Sequence, residues 1–267
     1  MIQSYFGLTK SPFDKKDLTL TEQQNHIFDT INAHSKLGGL CVIAGDPGTG
    51  KTTILTALQN LSKNKNIEVP TMSRTMHSYS NIIKLLLEAF KLDDKHSVKA
   101  CESDILQEAF KIHSQNKSLI TIIDDAHLLE MDVLRKLRLL FDAFPRSHCL
   151  VLIGQMELLH RLALSANADI KSRITYSIRL LKINPVQMEK MILNEMDKCG
   201  LAHSTFEEGA LELILRSSDG LLRQARNIIL GSLIQATIER KKIVNTNIIN
   251  SVLVQPHWRS YEDLIRI

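Results

Sequence analysis

Eight consecutive residues carry the plainest chemistry in the chain. Gly45-Asp46-Pro47-Gly48-Thr49-Gly50-Lys51-Thr52 fits the pattern G-x-x-x-x-G-K-[ST] at every fixed position. Glycines let the backbone curl until its N–H groups point inward, where they meet phosphate oxygens. The Lys51 ammonium can reach the outer phosphates, and the Thr52 hydroxyl can ligate Mg2+. A helix that starts at this point adds the positive end of its dipole. The expected ligand is ATP, held by residues 45–52 with Thr53 beside them.

A second constellation follows seventy residues later. Leu119-Ile120-Thr121-Ile122-Ile123 is an apolar run that ends in two carboxylates, Asp124 and Asp125. A carboxylate at a strand tip can hold Mg2+, directly or through water. The next one lies nearer the γ-phosphate and can polarise an attacking water. Asp124 is therefore expected as a metal ligand with Thr52, and Asp125 as the catalytic group.

Both motifs need a scaffold that ends strands beside one another. Leu40-Cys41-Val42-Ile43-Ala44 is a short continuous apolar run, as suits a strand buried on both faces. Further strands are expected at about 67–73, 119–123, 149–153 and 174–180. Helices are expected at about 21–36, 52–62, 79–90, 102–114, 128–144 and 156–164, with the first twenty residues irregular. Strands alternating with helices predict an α/β fold, a parallel P-loop sheet with flanking helices. The pattern changes at Asn184-Pro185, a good cap and first helical residue. Helices at about 185–199, 207–218, 221–240 and 244–254 follow with no strand between them. The expected domains are 1–183 (nucleotide-binding α/β), 184–254 (a small all-helical lid) and 255–267 (a tail). The tail holds the single tryptophan, Trp258, with Tyr261 and Leu264. It is either a partner-binding hook or a segment that folds back on the lid.

On these residues the sequence resembles the AAA+ ATPases. Within them it is most similar to the group containing the secretion ATPase ExeA and the transposition regulators of the TnsC, TniB and IstB kind. Tyr5-Phe6-Gly7-Leu8 with Pro12-Phe13 looks like the opening of ExeA-type proteins. Asp124-Asp125-Ala126-His127 stands where the group usually has Asp-Glu-Ala-Gln or Asp-Glu-Ala-His. Leu152-Ile153-Gly154-Gln155-Met156-Glu157-Leu158 looks like the sensor-one strand, Ser172-Arg173-Ile174 like the arginine-finger segment, and Gly220-Leu221-Leu222-Arg223 like sensor two. The resemblance implies that Gln155 contacts the γ-phosphate or the water and that Arg223 contacts the phosphates from the lid. It implies that Arg173 acts in trans on a neighbour's ATP, with Arg161 a rival for that role and Arg226 a rival for Arg223. A finger in trans requires a homo-oligomer, a ring or a helical filament.

The group's usual glutamate is replaced by Asp125, one methylene shorter, so hydrolysis is expected to be slow and to act as a switch. The chain ends at Ile267 without the membrane span and cell-wall region of an ExeA-type secretion ATPase, and so looks more like a transposition helper. The expected function is an ATP-dependent regulator that oligomerises on duplex DNA. It would recruit or activate a transposase, with a target-selection protein as a further partner. A secretion ATPase and a non-hydrolysing scaffold assembled by ATP are the alternatives. Arg74, Thr75 and Lys84 are the DNA-contact candidates, and Arg135, Lys136 and Arg138 form a second basic cluster.

Composition sets looser bounds. Of 267 residues, 44% are apolar and 23% charged, as in an ordinary domain with a real core. The net charge is +4, and all of the surplus lies before residue 185, since residues 185–267 hold ten basic and ten acidic side chains. That permits nucleic-acid binding if the charges cluster. Four scattered cysteines without a CxxC pair read as buried thiols. No apolar run approaches the roughly 20 residues that span a bilayer, so a cytoplasmic location with no membrane partner is expected.

Overall fold

The computed structural model describes residues 2–12, 19–72, 78–94 and 97–258. The chain forms two units, one of residues 20–46 and 51–180, the other of residues 1–19, 47–50 and 181–267.

The first unit is an α/β layer structure built on a parallel sheet. Its strands are β1 (Gly39–Gly45), β2 (Ile67–Glu68), β3 (Thr71–Met72), β4 (Ser118–Ile123), β5 (His148–Gly154) and β6 (Ile174–Leu180). They pair in the order β2-β4-β5-β1-β6, with β3 also on β4, and every pairing is parallel. Helices α2 (Glu22–Leu37), α3 (Lys51–Gln59), α4 (Tyr79–Phe90), α5 (Val98–Ser114), α6 (Met131–Asp142), α7 (Met156–Ala163) and α8 (Ala168–Lys171) accompany the sheet.

The central strands read as apolar runs because both faces are covered. Leu40 and Val42 of β1 enter one core cluster with α4 to α7, whereas Cys41 and Ile43 enter another with α2 and α3. Helices α2 and α4 start where a side chain replaces a missing backbone partner. At α2, Thr21 and Gln24 close a reciprocal capping box, with the Thr21 hydroxyl accepting from the Gln24 amide at 3.3 Å and the Gln24 side chain accepting from the Thr21 amide at 2.9 Å.

Three elements differ from the sequence expectation. The strand expected over 67–73 is two short pieces split around Pro70, which has no N–H to give a ladder. Its carbonyl still accepts from Ile122 at 2.9 Å. The helix expected from 128 is a 3-10 turn at Ala126–Leu128 and then α6, because Leu129 is extended. Helix α5 begins four residues before Glu102, with its buried stripe of Cys101, Ile105, Ala109 and Ile112 at helical spacing.

The second unit is helical: α1 (Ile2–Phe6), α9 (Pro185–Cys199), α10 (Glu208–Ser218), α11 (Leu222–Ile238) and α12 (Thr246–Leu253). The Asn184 side chain accepts from the Gln187 amide at 2.8 Å and Pro185 opens α9, while Gly200 closes it in a left-handed cap. The first residues are not irregular. Helix α1 and Leu8 join the helical core, and the Lys242 ammonium lies 3.9 Å over the Tyr5 ring and donates to the Tyr5 carbonyl. Residues 2–12 therefore group with the helical unit, apart from the α/β domain to which the sequence reading gave them. Trp258 packs against the same core, whereas Tyr261 and Leu264 lie outside the described residues. No helix among the described residues is long and apolar enough to cross a membrane.

Candidate nucleotide site

Residues 45–52 connect β1 to α3, and the loop's two inner glycines explain its curl. Gly48 has φ 93° and Gly50 has φ 97°, conformations that side chains resist. Thr49 between them is buried at 2% exposure. Asp46 and Pro47 complete the turn, with Asp46 3.9 Å from Arg179 of β6. Lys51, the first residue of α3, folds back and donates to the Gly45 carbonyl at 2.6 Å and the Asp46 carbonyl at 3.0 Å. Its ammonium thus sits against the loop. Thr52 is exposed and Thr53 half-buried in the first turn of α3. A loop of inward-turning backbone, a lysine over it and a helix start behind it fit a polyphosphate.

The two acids follow β4. Because β4 pairs β5 (Ile123 beside Leu152) and β5 pairs β1 (Ala44 beside Gly154), the ends of β4, β5 and β1 lie next to one another. That register puts Asp124-Asp125, Gln155 and the phosphate loop on one edge of the sheet, the carboxyl edge where ligands of open α/β sheets bind. The Asp124 carboxylate accepts from the Asp125 amide at 2.9 Å. Burial raises the Asp124 pKa above the ordinary range, and the Asp125 charge adds to this; that amide bond, Lys51 and His127 act in the opposite direction. A carboxylate made costly in this way favours a cation beside it. Asp125 is left-handed at φ 52° and its side chain is 47% exposed. Gln155 precedes α7 and is half-buried, and its side chain makes no capping bond there.

The turn after the acids is clamped to α7. Arg161 donates to the carbonyls of His127 at 2.9 Å and Leu129 at 2.6 Å, and its own carbonyl accepts from Asn167 at 2.7 Å. Arg161 thus holds this turn. Gly154 lets the turn approach, since a Cβ there would stand 3.1 Å from the His127 amide nitrogen. His127 itself is 9% exposed, with Nδ1 lying 4.0 Å from an Asp125 oxygen. The sequence reading quoted His127 and Gly154 within motifs but gave them no role. The signal was present: a ring two residues beyond the acid, and a glycine at a strand tip that needs no positive φ.

The other expected site residues fall as follows. Arg173, between α8 and β6, is 57% exposed, with its guanidinium 3.7 Å from Asp142 of α6. Arg223 opens α11 in the helical unit and is exposed; its amide donates to the Gly48 carbonyl at 3.3 Å. Lys84 is exposed on α4 and pairs with Asp94 at 3.0 Å. Arg74 and Thr75 lie outside the described residues. The basic cluster of α6 is largely spoken for. Arg135 is tied to Asp132, Asn167, Asp169 and the Ala166 carbonyl, Arg138 reaches Asp142 at 3.5 Å, and Lys136 lies 5.6 Å over the Tyr79 ring.

The family model described as an AAA domain matches residues 34–162, which hold the phosphate loop, both acids and Gln155. No match is found among curated protein sequences. Among solved structures, Cdc6p from Pyrobaculum aerophilum is similar at TM-score 0.73 and 21% identity, over 99% of this chain and 74% of that one. The ADPNP–ADP complexes of the Aeropyrum pernix ORC2 protein are similar at TM-score 0.71 and 12% identity, over 97% and 75%. The Aeropyrum pernix ORC1 protein in complex with DNA is similar at TM-score 0.68 and 15% identity, over 90% and 66%. At such identities these likenesses show a shared fold, that of AAA+ ATPases with a helical region after the sheet.

Proposed function

We propose that this chain is an ATP-dependent DNA-binding switch that assembles as an oligomer on duplex DNA and hydrolyses ATP slowly. The observation that carries the reading is the alignment of three adjacent strand ends. The phosphate loop follows β1, Gln155 follows β5, and Asp124-Asp125 follow β4. That set divides the labour of ATP hydrolysis. The loop amides and Lys51 bind the phosphates. Thr52 and Asp124 would hold Mg2+, which when bound neutralises charge on the phosphate oxygens. Asp125 orients and polarises the water, and Gln155 fixes the water or the γ-phosphate. Arg223 is assigned the phosphate contact from the helical unit. Arg173 is assigned the contact to ATP on the next subunit, where a fixed cation lowers the cost of charge in the transition state.

The ADPNP–ADP complexes and the DNA complex of the similar folds support nucleotide and DNA as ligands. The finer reading, a regulator of transposition that recruits or activates a transposase, rests on the motif resemblance. The positions that support it are Tyr5-Phe6-Gly7-Leu8, Asp124-Asp125-Ala126-His127 and Gly220-Leu221-Leu222-Arg223. The DNA contacts assigned are Arg74, Thr75 and Lys84, made to phosphates and therefore tolerant of sequence.

Turnover with Mg2+ and ATP, measured with and without duplex DNA, tests the enzymatic half of this reading. Measurable hydrolysis that Lys51→Ala abolishes supports it. A protein that binds ATP and never turns it over is instead a scaffold.

A further inference from the structure

We propose that His127 is a positioning residue for Asp125, donating through Nδ1 to the Asp125 carboxylate and holding it toward the attacking water. This rests on the reading of Asp125 as the group that polarises water.

Three observations meet at this ring. The His127 side chain is nine-tenths buried, and its Nδ1 has no hydrogen-bond partner. A buried polar atom left in that state is costly, so a bond completed in the working state is favoured. The charged group facing Nδ1 is Asp125, with an oxygen 4.0 Å away, less than an ångström beyond a hydrogen bond. Finally, the His127 backbone is fixed independently of its ring. Arg161 bonds its carbonyl at 2.9 Å, and its amide nitrogen packs so closely on Gly154 that a Cβ there would stand 3.1 Å away. A buried ring on a clamped backbone is a rigid post.

Asp125 is one methylene shorter than the glutamate the motif usually carries, and it sits half-exposed on left-handed backbone. Proton transfer depends on the rotation of the carboxylate, and misplacement by about 1 Å costs up to 100-fold in rate. A hydrogen bond from His127 Nδ1 restricts that rotation while leaving the second oxygen for water. Gln155 follows Gly154 on the strand against which the turn packs, so the same contact brings the water's two polar neighbours into register.

The test compares turnover and nucleotide affinity in the full chain. Steady-state kcat and KM are measured beside the Kd for a fluorescent ATP analogue, for wild type, His127→Ala, His127→Asn and Asp125→Glu, and for Asp125→Glu with His127→Ala. The expected result is a kcat lower by about 10- to 100-fold in His127→Ala, with the Kd within about twofold of wild type. Asn places an N–H where Nδ1 stood, so His127→Asn recovers part of the loss. In the Asp125→Glu background the longer acid reaches the water unaided, and losing His127 costs less. The assignment is overturned if kcat is unchanged in His127→Ala, if the Kd weakens in step with kcat, or if the penalty is equal in both backgrounds. Should His127→Ala fail to fold, His127→Asn decides, since turnover no better than background contradicts a donor role. An ATP-bound wild type with no turnover at all removes the hydrolytic reading itself, and this role with it.

Discussion

The Lys51 ammonium rests 2.6 Å from the carbonyl of Gly45, six residues before it, so the cation that would grip phosphate is parked on the loop it serves. Its side chain is half-buried and also donates to the Asp46 carbonyl at 3.0 Å. Lys51→Ala should therefore remove phosphate affinity while leaving the apo fold nearly as stable. The expected outcome is a loss of at least about 100-fold in affinity for a fluorescent ATP analogue, as charged hydrogen bonds are worth about 1.5–3 kcal/mol each. The melting temperature without ligand should stay within a few degrees of wild type. A large drop in stability with affinity retained would contradict the assignment.

Asp124 should show a trade between stability and function. Burial raises its pKa above the ordinary 3.8, so the ionised form is the one the fold disfavours. For a carboxylate raised in this way, stability is highest when it is protonated and falls as pH rises through the raised value. Near pH 7 the charge is thus a cost to the apo protein. Asp124→Asn is expected to melt at or above the wild-type temperature without ligand, and to lose the Mg2+ dependence of ATP binding. Calorimetry with and without Mg2+ and ATP checks both halves.

Asp125→Glu restores the reach that the motif usually has. The expected outcome is faster ATP turnover with little change in nucleotide affinity. Unchanged or slower turnover would count against the shorter acid as a brake on hydrolysis.

Arg173 can be tested by mixing. If it acts on the neighbouring subunit's ATP, Arg173→Ala alone lowers turnover with ATP affinity preserved. Mixing it with Lys51→Ala should restore activity, because some interfaces then pair an intact loop with an intact finger. No recovery on mixing, in a protein shown to be oligomeric, argues that Arg173 serves only its Asp142 contact.

His148 gives the fold a pH signature. It is buried, stacked at 5.1 Å on Phe141 and within 2.9 Å of the Thr121 hydroxyl, and burial pushes its pKa from 6.5 down to about 3. The unfolded chain takes up this proton near pH 6.5 and the folded chain does not. Stability is thus complete above 6.5 and declines as pH falls from there toward 3. His148→Gln keeps a group able to bond Thr121 but has nothing to titrate. Its melting temperature should vary less with pH over that window than wild type, as a thermal series at several pH values would show.

Much of the site was legible before the structure. The loop and the acid pair announce themselves through residue type, because only glycine takes φ above 90° easily and only an apolar run ends a buried strand at a carboxylate. Strand β6 and helices α4 and α9 fall where their periodicity and caps put them. What sequence missed depends on approach across the chain. Nothing local says that Arg161 reaches back to His127, 34 residues earlier. Nor does the short helix Ile2–Phe6 have the length to show a period; it is held by packing and by Lys242, far along the chain. Arg135 reads as a surface charge until its carboxylate and carbonyl partners come into view.

In an ATP-dependent DNA-binding switch the bound nucleotide sets the affinity for DNA. Fluorescence anisotropy of a labelled duplex, titrated with this protein under Mg2+ with a slowly hydrolysed ATP analogue, with ADP and with no nucleotide, at two salt concentrations, measures that directly. Binding should require the ATP analogue, fall steeply as salt rises because phosphate contacts release counterions, and disappear in Lys51→Ala. Affinity that is the same with and without nucleotide, or no salt-sensitive binding in the presence of the analogue, would contradict it.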